Sequence, residues 1–310
     1  MLRNTTEAMS AILGGCDGVL IKPHNSTFED VTDFSHRISL NVSNLLKDES
    51  YFDKVGDPAG GSYYLENLTE ALLNKTLEIF KDIEGQGGFI SSFDNNVIQN
   101  SIAEVRAKKE SEIATRKKVF VGSNKYPNLL ESIPYKKEPE KASIIHGMDL
   151  LKPQRGIEGF ETLRQKTQLM ETEIGNRPRV YLACFGNLAM RKARASFASD
   201  FFGTAGFEIM GEFFFDSTEE AIQKSADFVA DIVVICASDD DYASDGASFA
   251  KSFKAQNQDK ELVVAGYPVN IMDELKSSGV DSFIHVRTNA IEALSQYQNK
   301  VIANSKSIKK

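Results

Sequence analysis

The chain has 310 residues, of which 41% are hydrophobic and 26% are charged, a composition typical of a globular protein with room for two domains. Its formal net charge of -8 argues against nucleic acid and membranes as partners, because anionic surfaces are bound by concentrated Lys and Arg, and no segment is long and apolar enough to predict a membrane span. The widely spaced Cys16, Cys184 and Cys236 fit no metal or redox spacing, so we expect reduced thiols in a cytoplasmic or matrix-like compartment.

The N-terminal segment predicts a helix, a strand and a longer helix. Apolar residues at helical spacing predict a helix over residues 5–13, ended by a pair of glycines, and the apolar run 18–21 predicts a short buried strand. An amphipathic pattern then predicts a helix over 27–47, with Ser26 or Thr27 as its N-cap.

A loop with a proline and a glycine pair, residues 56–64, separates these elements from two further predicted helices. The first covers 69–83 and has Thr69 as a candidate N-cap. Its apolar face contains Leu73, Leu77 and Phe80. The second covers 95–118, where charged residues and helix formers predict a solvated helix face rather than a binding tail.

Four prolines interrupt the pattern after these helices and predict a connecting segment. They are Pro127, Pro134, Pro139 and Pro153. A helix over 156–173 is predicted to follow. We therefore expect three parts: residues 1–121, a linker with a helix over 122–176, and a second domain over 177–310.

Short apolar runs alternate with helical patterns in the last part of the chain. The predicted strands are 180–184, 207–210, 232–236, 262–265 and 282–286. Five strands with four intervening helices and a terminal one predict an α/β domain, a doubly wound, five-stranded parallel sheet of the flavodoxin-like type. The β-branched, nearly unbroken runs fit strands that are buried on both faces.

Two segments carry a resemblance to a known family. Residues 57–69, DPAGGSYYLENLT, closely resemble the sequence after the last barrel strand in acyl-CoA mutases of the methylmalonyl-CoA mutase type. Residues 177–180, RPRV, lie where that family begins its cobalamin-binding domain. The family has a (β/α)8 barrel, which needs about 250 residues, so the resemblance implies a mostly helical tail end of the barrel here, with Val19 to Ile21 as its final strand.

The same resemblance identifies the positions at which the family binds its cofactor. Its cobalamin domains carry Asp-x-His-x-x-Gly after the first strand; the His coordinates cobalt, the Asp orients that His, and the Gly leaves room for the nucleotide tail. Alignment through Gly186 places Leu188, Met190 and Ala193 at these three positions. We therefore expect no catalytic, cofactor-binding or metal-binding residue in this domain. A thioether ligand from Met190 is the less favoured interpretation.

Two other segments depart from the family pattern in the same direction. The acidic run 239–241 follows the third strand where the family has small and apolar residues, and Tyr267 replaces one glycine of a pair after the fourth. Phenylalanines crowd the first helix and second strand, which favours a filled core over a ligand pocket. These are Phe197, Phe201, Phe202, Phe207 and the run 213–215.

The remaining candidates have weaker signals. His24 and His285 each follow an apolar run, where sites in α/β folds lie, but no partner acid is evident, and His36 and His146 are less favourably placed. The acidic run does not indicate a phosphorylated receiver, because the acidic residues after the first strand and the Lys after the fifth are missing. The glycine-rich segments 14–15 and 85–88 are not phosphate loops, because neither lies between a strand and a helix with the required Lys.

These features are similar to the small subunit of heterodimeric mutases. The resemblance implies a structural, non-catalytic chain whose partner is a large catalytic subunit that carries adenosylcobalamin and interconverts succinyl-CoA and methylmalonyl-CoA. Two alternatives stay open. One is a divergent mutase chain that still binds cobalamin, and the other is a free-standing adaptor that uses the flavodoxin-like domain to bind proteins.

Overall fold

The computed structural model describes residues 1–132, 151, 154–215, 217–226 and 229–308. Residues 1–101 belong to one unit, and the described residues from 102 onward, apart from residue 151, belong to a second. Three of the predicted linker prolines and one candidate histidine lie outside the described residues. They are Pro134, Pro139, Pro153 and His146.

Helices make up the regular structure of the first unit. They are α1 (Leu2–Leu13), α2 (Asp33–Asn44), α3 (Tyr63–Gly85), α4 (Gly88–Asp94) and the start of α5 (Val97–Ala114). A π-helical turn, Leu45–Glu49, continues α2. The buried core is small and consists of Ala8, Val42 and Leu46, with partly buried apolar neighbours around them.

The strand predicted over residues 18–21 is wrong. This segment has no regular structure, and Leu20 is 88% exposed. A strand of this length is stable only when a neighbouring strand satisfies its backbone groups. Residues 1–132 contain no strand that could pair with it, and their single β-bridge joins Val121 to Lys125.

Two predicted helix starts are also wrong. The second helix begins at Asp33, because Thr32 and Ser35 form a reciprocal capping box, in which each side chain accepts a hydrogen bond from the other's backbone amide. Thr69, the predicted cap of the next helix, lies inside α3, which begins directly after the glycine loop. The predicted apolar face of α3 is exposed throughout the helix.

The second unit contains the predicted parallel sheet. Its strands are β1 (Arg179–Cys184), β2 (Glu208–Phe214), β3 (Ile232–Cys236), β4 (Glu261–Ala265) and β5 (Ser282–Ile284). They are all parallel and lie in the order β2-β1-β3-β4-β5. This is the flavodoxin-like order, and it confirms the predicted fold class.

Helices cover both faces of this sheet. They are α6 (Glu158–Ile174), α7 (Leu188–Gly203), α8 (Thr218–Ala226), α9 (Asp239–Asp241), α10 (Ala247–Gln256), α11 (Met272–Ser277) and α12 (Ala290–Ile308). Alternate residues of β1 and β3 enter two separate buried clusters, one on each face. In the described ranges no helix is long and apolar enough to cross a membrane.

Residues on the N-terminal side of the sheet belong to the same unit. The Arg116 guanidinium pairs with the Asp200 carboxylate at 2.8 Å, and the Tyr126 amide donates to the other oxygen of that carboxylate at 2.6 Å. Phe160 and Leu163 of α6 are buried in the cluster that also contains the inward residues of β1. These contacts cross the predicted domain boundaries at residues 121 and 176, and the positions of those boundaries stay predictions.

A buried amide joins α6 to α12. The Gln298 side chain is fully buried and donates to the Leu163 carbonyl at 2.7 Å and to the Thr167 hydroxyl at 2.8 Å. Thr167 in turn donates to the Ala205 carbonyl at 2.7 Å. Gln298 is thus the central member of a polar network inside an otherwise apolar core.

We expect Gln298→Ala to lower the free energy of unfolding of this unit by about 2–4 kcal/mol, because it removes two buried hydrogen bonds and opens a cavity. Hydrogen exchange of the β3 amides in urea measures the unfolding of this unit alone. Gln296→Ala on the same helix is the matched control, since Gln296 is exposed, and its effect should stay within about 0.5 kcal/mol. Equal losses in the two variants would contradict the proposed role of the network.

Candidate functional site

The candidate site lies at the carboxyl ends of β1, β3 and β4. In this strand order the chain leaves β1 and β3 toward opposite faces of the sheet, which creates a crevice between their ends. Ligands of open α/β sheets bind in this crevice. The residues after these three strands therefore decide what the domain can hold.

Asn187 shapes the segment after β1. Its side-chain oxygen accepts hydrogen bonds from the backbone amides of Ala189 and Met190, both at 3.1 Å, and so caps α7. Because this cap is present, α7 begins at Leu188, only four residues after β1 ends. The segment that corresponds to the family's cofactor motif is therefore helical.

The three motif positions all lie on α7. Leu188 is 55% exposed, Met190 is 41% exposed, and Ala193 is also exposed. Successive positions of a helix are rotated by about 100°, so Leu188 does not share a face with Met190, two positions on, or with Ala193, five positions on. Leu188 and Ala193 have no side-chain atom that can bind a metal, and Met190 offers only a thioether sulfur.

Asp241, from the acidic run, lies against the segment after β1. One of its carboxylate oxygens accepts from the Asn187 amide at 2.9 Å, from the Ser238 amide at 3.0 Å and from the Ser238 hydroxyl at 2.6 Å. Gly186 has a φ of 72°, and a Cβ there would overlap the Asp241 carboxylate. Glycine thus lets the two segments approach closely.

The same contacts set the charge state of Asp241. Burial by itself would raise the pKa of its carboxyl, but the hydrogen bonds from Ser238 and Asn187 outweigh it and hold the pKa below its ordinary value. Asp241 is therefore ionised at neutral pH.

Arg194 fills the crevice from the side of α7. Its guanidinium donates to the Ala237 carbonyl and to the Asp239 carboxylate, both at 2.6 Å. It also lies 4.9 Å from the centre of the Tyr242 ring. A Cβ at Gly266, directly after β4, would come within 2.9 Å of this guanidinium. Arg194 therefore spans the ends of β3 and β4.

Tyr242 closes the floor of the crevice. Its hydroxyl accepts from the Ala237 amide at 3.0 Å and lies 2.8 Å from the Ile235 carbonyl and 2.9 Å from the Ala265 carbonyl. The side chain is fully buried. Burial raises the pKa of this hydroxyl far above its ordinary value, so Tyr242 is a neutral structural group.

The predicted phenylalanine cluster is largely buried. Phe201, Phe202, Phe207 and Phe215 are in the core, whereas Phe214 is 42% exposed. Phe201, Phe202 and Phe207 pack in a cluster with residues of β1 and β3. Because α7 runs from the carboxyl end of β1 back to the start of β2, these three rings lie toward the amino ends of the strands, away from the crevice.

His285 lies at the far side of the sheet. Its ring is 4.6 Å from that of Tyr267, and its Nδ1 accepts from the Arg287 amide at 3.2 Å. Burial and the positive charge of Arg287 both lower the pKa of its imidazole. Since β3 and β4 separate β5 from β1, three strand spacings, or about 14 Å, lie between His285 and the end of β1.

The other described histidines lie in the first unit. His36 is on α2, and His24 is in the irregular segment before it. In the described part of the chain, no three His, Cys, Asp or Glu side chains cluster as metal ligands do. The structure therefore does not bring the sequence candidates together into one site.

Two residues of the crevice escape the sequence analysis. Asn187 has a signal that could have found it, because an Asn directly before a helical pattern is a common N-cap. Arg194 has none, because its partners Ala237 and Asp239 are 43 and 45 residues away along the chain.

Comparisons with known proteins relate the sequence of the chain to a family. Residues 1–158 match the family described as Methylmalonyl-CoA mutase. The chain is 36% identical over 304 residues to the methylmalonyl-CoA mutase small subunit of Porphyromonas gingivalis, covering 97% of this chain and 48% of that protein. It is 29% identical over 294 residues to the small subunit of Streptomyces virginiae, covering 95% and 47% respectively.

A third relative matches over a shorter stretch. The methylmalonyl-CoA mutase of Escherichia coli is 34% identical over 130 residues, which is 41% of this chain and 18% of that protein. The chain spans about half the length of the small subunits that it matches. The family match covers half of the chain, and the chain belongs to the methylmalonyl-CoA mutase family.

Proposed function

We propose that the chain acts as the small, non-catalytic subunit of a heterodimeric methylmalonyl-CoA mutase. Its partner is a large subunit that carries adenosylcobalamin and interconverts succinyl-CoA and methylmalonyl-CoA. The chain itself contributes structure to the complex.

The extent of the sequence matches carries this proposal. Relatives named small subunit match 86% to 97% of the chain, whereas the Escherichia coli protein, named simply methylmalonyl-CoA mutase, matches 41%. A chain that had kept the full cofactor domain would be expected to match both groups over similar lengths. The difference supports descent along the small-subunit line.

The crevice supports the non-catalytic role. Cobalt needs a nitrogen or similar donor that a neighbouring group orients, and Leu188, Met190 and Ala193 offer no such pair. A nucleotide tail would meet the Asp241 carboxylate and the Arg194 guanidinium at the switch point. These residues do not fit cobalamin, so no catalytic step is assigned to the chain.

We expect the purified chain to bind no adenosylcobalamin at micromolar concentration, because the crevice has neither a cobalt ligand nor space for the tail. Equilibrium dialysis, with corrinoid absorbance measured on both sides of the membrane, tests this directly. Bound corrinoid at these concentrations would overturn the non-catalytic assignment in favour of a divergent cobalamin-binding chain.

Met190→Leu makes that result interpretable. The substitution keeps the size of the side chain and removes its sulfur. If the native chain binds corrinoid and this variant does not, Met190 is a cobalt ligand after all. If both bind equally, the cofactor is held without a ligand from this position.

We expect the chain to form a stable complex with a longer homologue that retains Asp-x-His-x-x-Gly, encoded next to it. After co-expression, one corrinoid should be present for each pair of chains. Mutase turnover should require the longer chain, alone or in the complex, and should be absent from the present chain alone. Size-exclusion chromatography and a coupled assay with succinyl-CoA measure both properties.

The partner experiment also separates the alternatives. A complex in which replacing the motif His of the longer chain leaves turnover intact would assign catalysis to the present chain and contradict the proposal. Absence of any complex would leave the adaptor hypothesis in its place.

A further inference from the structure

Two sets of contacts bridge the segments around the crevice. Asp241 joins the segment after β3 to the Asn187 amide after β1, across 54 residues of chain. Arg194 joins α7 to the Ala237 carbonyl and the Asp239 carboxylate, and only 15% of its side chain is exposed. Both bridges use charged groups with short, well-placed hydrogen bonds.

We infer that Asp241 and Arg194 form an internal clasp that holds the crevice shut and fixes the first turn of α7 without any ligand. The inference rests on the proposed function, since it explains how the domain keeps its shape when no cofactor occupies the switch point. Asp241 and Arg194 are positioning residues in this account, because they act on the two segments and touch no substrate.

Charge and close packing both stabilise the clasp. Hydrogen bonds to ionised groups contribute more than those between neutral groups. The Asp241 oxygen receives three of them, one from Asn187 across the crevice and two from Ser238 that orient the carboxylate within its own segment. Gly186 and Gly266 leave the space in which the carboxylate and the guanidinium lie. The first two turns of α7 are then held at both of their ends, by Asn187 and by Arg194.

Two cysteines report on the clasp. Cys184 and Cys236 are the last residues of β1 and β3, are directly paired across the sheet and are fully buried. They share a cluster with Ala195 and Ala198 of α7. Burial raises the pKa of the Cys236 thiol well above its ordinary value, so alkylation there requires opening.

The experiment measures alkylation of the full chain by N-ethylmaleimide at neutral pH, with each cysteine followed by peptide mass spectrometry. Cys16 is exposed and serves as an internal reference. In Asp241→Ala, we expect Cys184 and Cys236 to react about tenfold faster or more, the effect of losing hydrogen bonds to an ionised carboxylate. Cys16 should react at an unchanged rate.

Two controls separate local opening from general destabilisation. Asp240→Ala removes an adjacent, exposed carboxylate with the same change of charge and should leave all three rates unchanged. Gln298→Ala weakens the same unit away from the crevice. The rate of alkylation of the two buried cysteines in this variant should rise steeply with urea, because it reports global unfolding. The corresponding rate in Asp241→Ala should depend little on urea, because it reports local opening.

The inference is overturned if Asp241→Ala matches Asp240→Ala, or if its alkylation follows urea as steeply as that of Gln298→Ala. If Asp241→Ala does not fold, Arg194→Lys and the native chain still test the inference. The lysine variant keeps the charge but loses the two-pronged contact, and should expose the same two cysteines. In the native chain the Asn187 amide should exchange slowly with solvent, and fast exchange would contradict the clasp.

These outcomes are independent of the cofactor experiment. Cobalamin bound by the native chain would remove the proposed function while leaving the alkylation rates to judge the clasp. Unchanged alkylation would remove the clasp and leave the small-subunit assignment standing.

Discussion

The hydrogen bond from the Asn187 amide to the Asp241 carboxylate joins the two segments between which an open α/β sheet ordinarily receives its ligand. Because Gly186 has no side chain, the carboxylate can reach this amide. Asn187 then caps α7, and Arg194, two turns further along the helix, reaches the end of β3. The shape of the whole crevice follows from these few polar contacts, and the apolar sheet below merely supports them.

The sheet was predictable from sequence because its strands are buried on both faces and give unbroken apolar runs, such as Ile232–Cys236. The failed strand at residues 18–21 has a similar run but no neighbouring strand within residues 1–132. Periodicity describes a segment alone, and pairing depends on the rest of the chain. The cap at Thr32 was missed for a related reason, since several polar residues precede α2 and only the reciprocal bonds with Ser35 select one.

The positions of the crevice could be foreseen only in part. The resemblance placed Leu188, Met190 and Ala193 at the cofactor motif and put the acidic run after β3. It did not show that Asp241 crosses to Asn187 or that Arg194 bonds to Asp239, because these pairs are far apart in sequence. Long-range polar contacts leave no local signal in the sequence, whereas a helix cap such as Asn187 is a characteristic residue type directly before a helical pattern.

The packing of α6 has a consequence for dissecting the molecule. Although this helix precedes the sheet, Phe160 and Leu163 lie in the core beneath it, and Gln298 takes its acceptors from α6. A shortened protein that started at Arg177 would expose that face of α12 to water. The Gln298 side chain would also lose its two hydrogen-bond acceptors on α6. The unit that packs around the sheet therefore extends upstream of it, as far as the contacts of Arg116 and Tyr126 with Asp200, and a protein shortened to the first strand would lose part of its core.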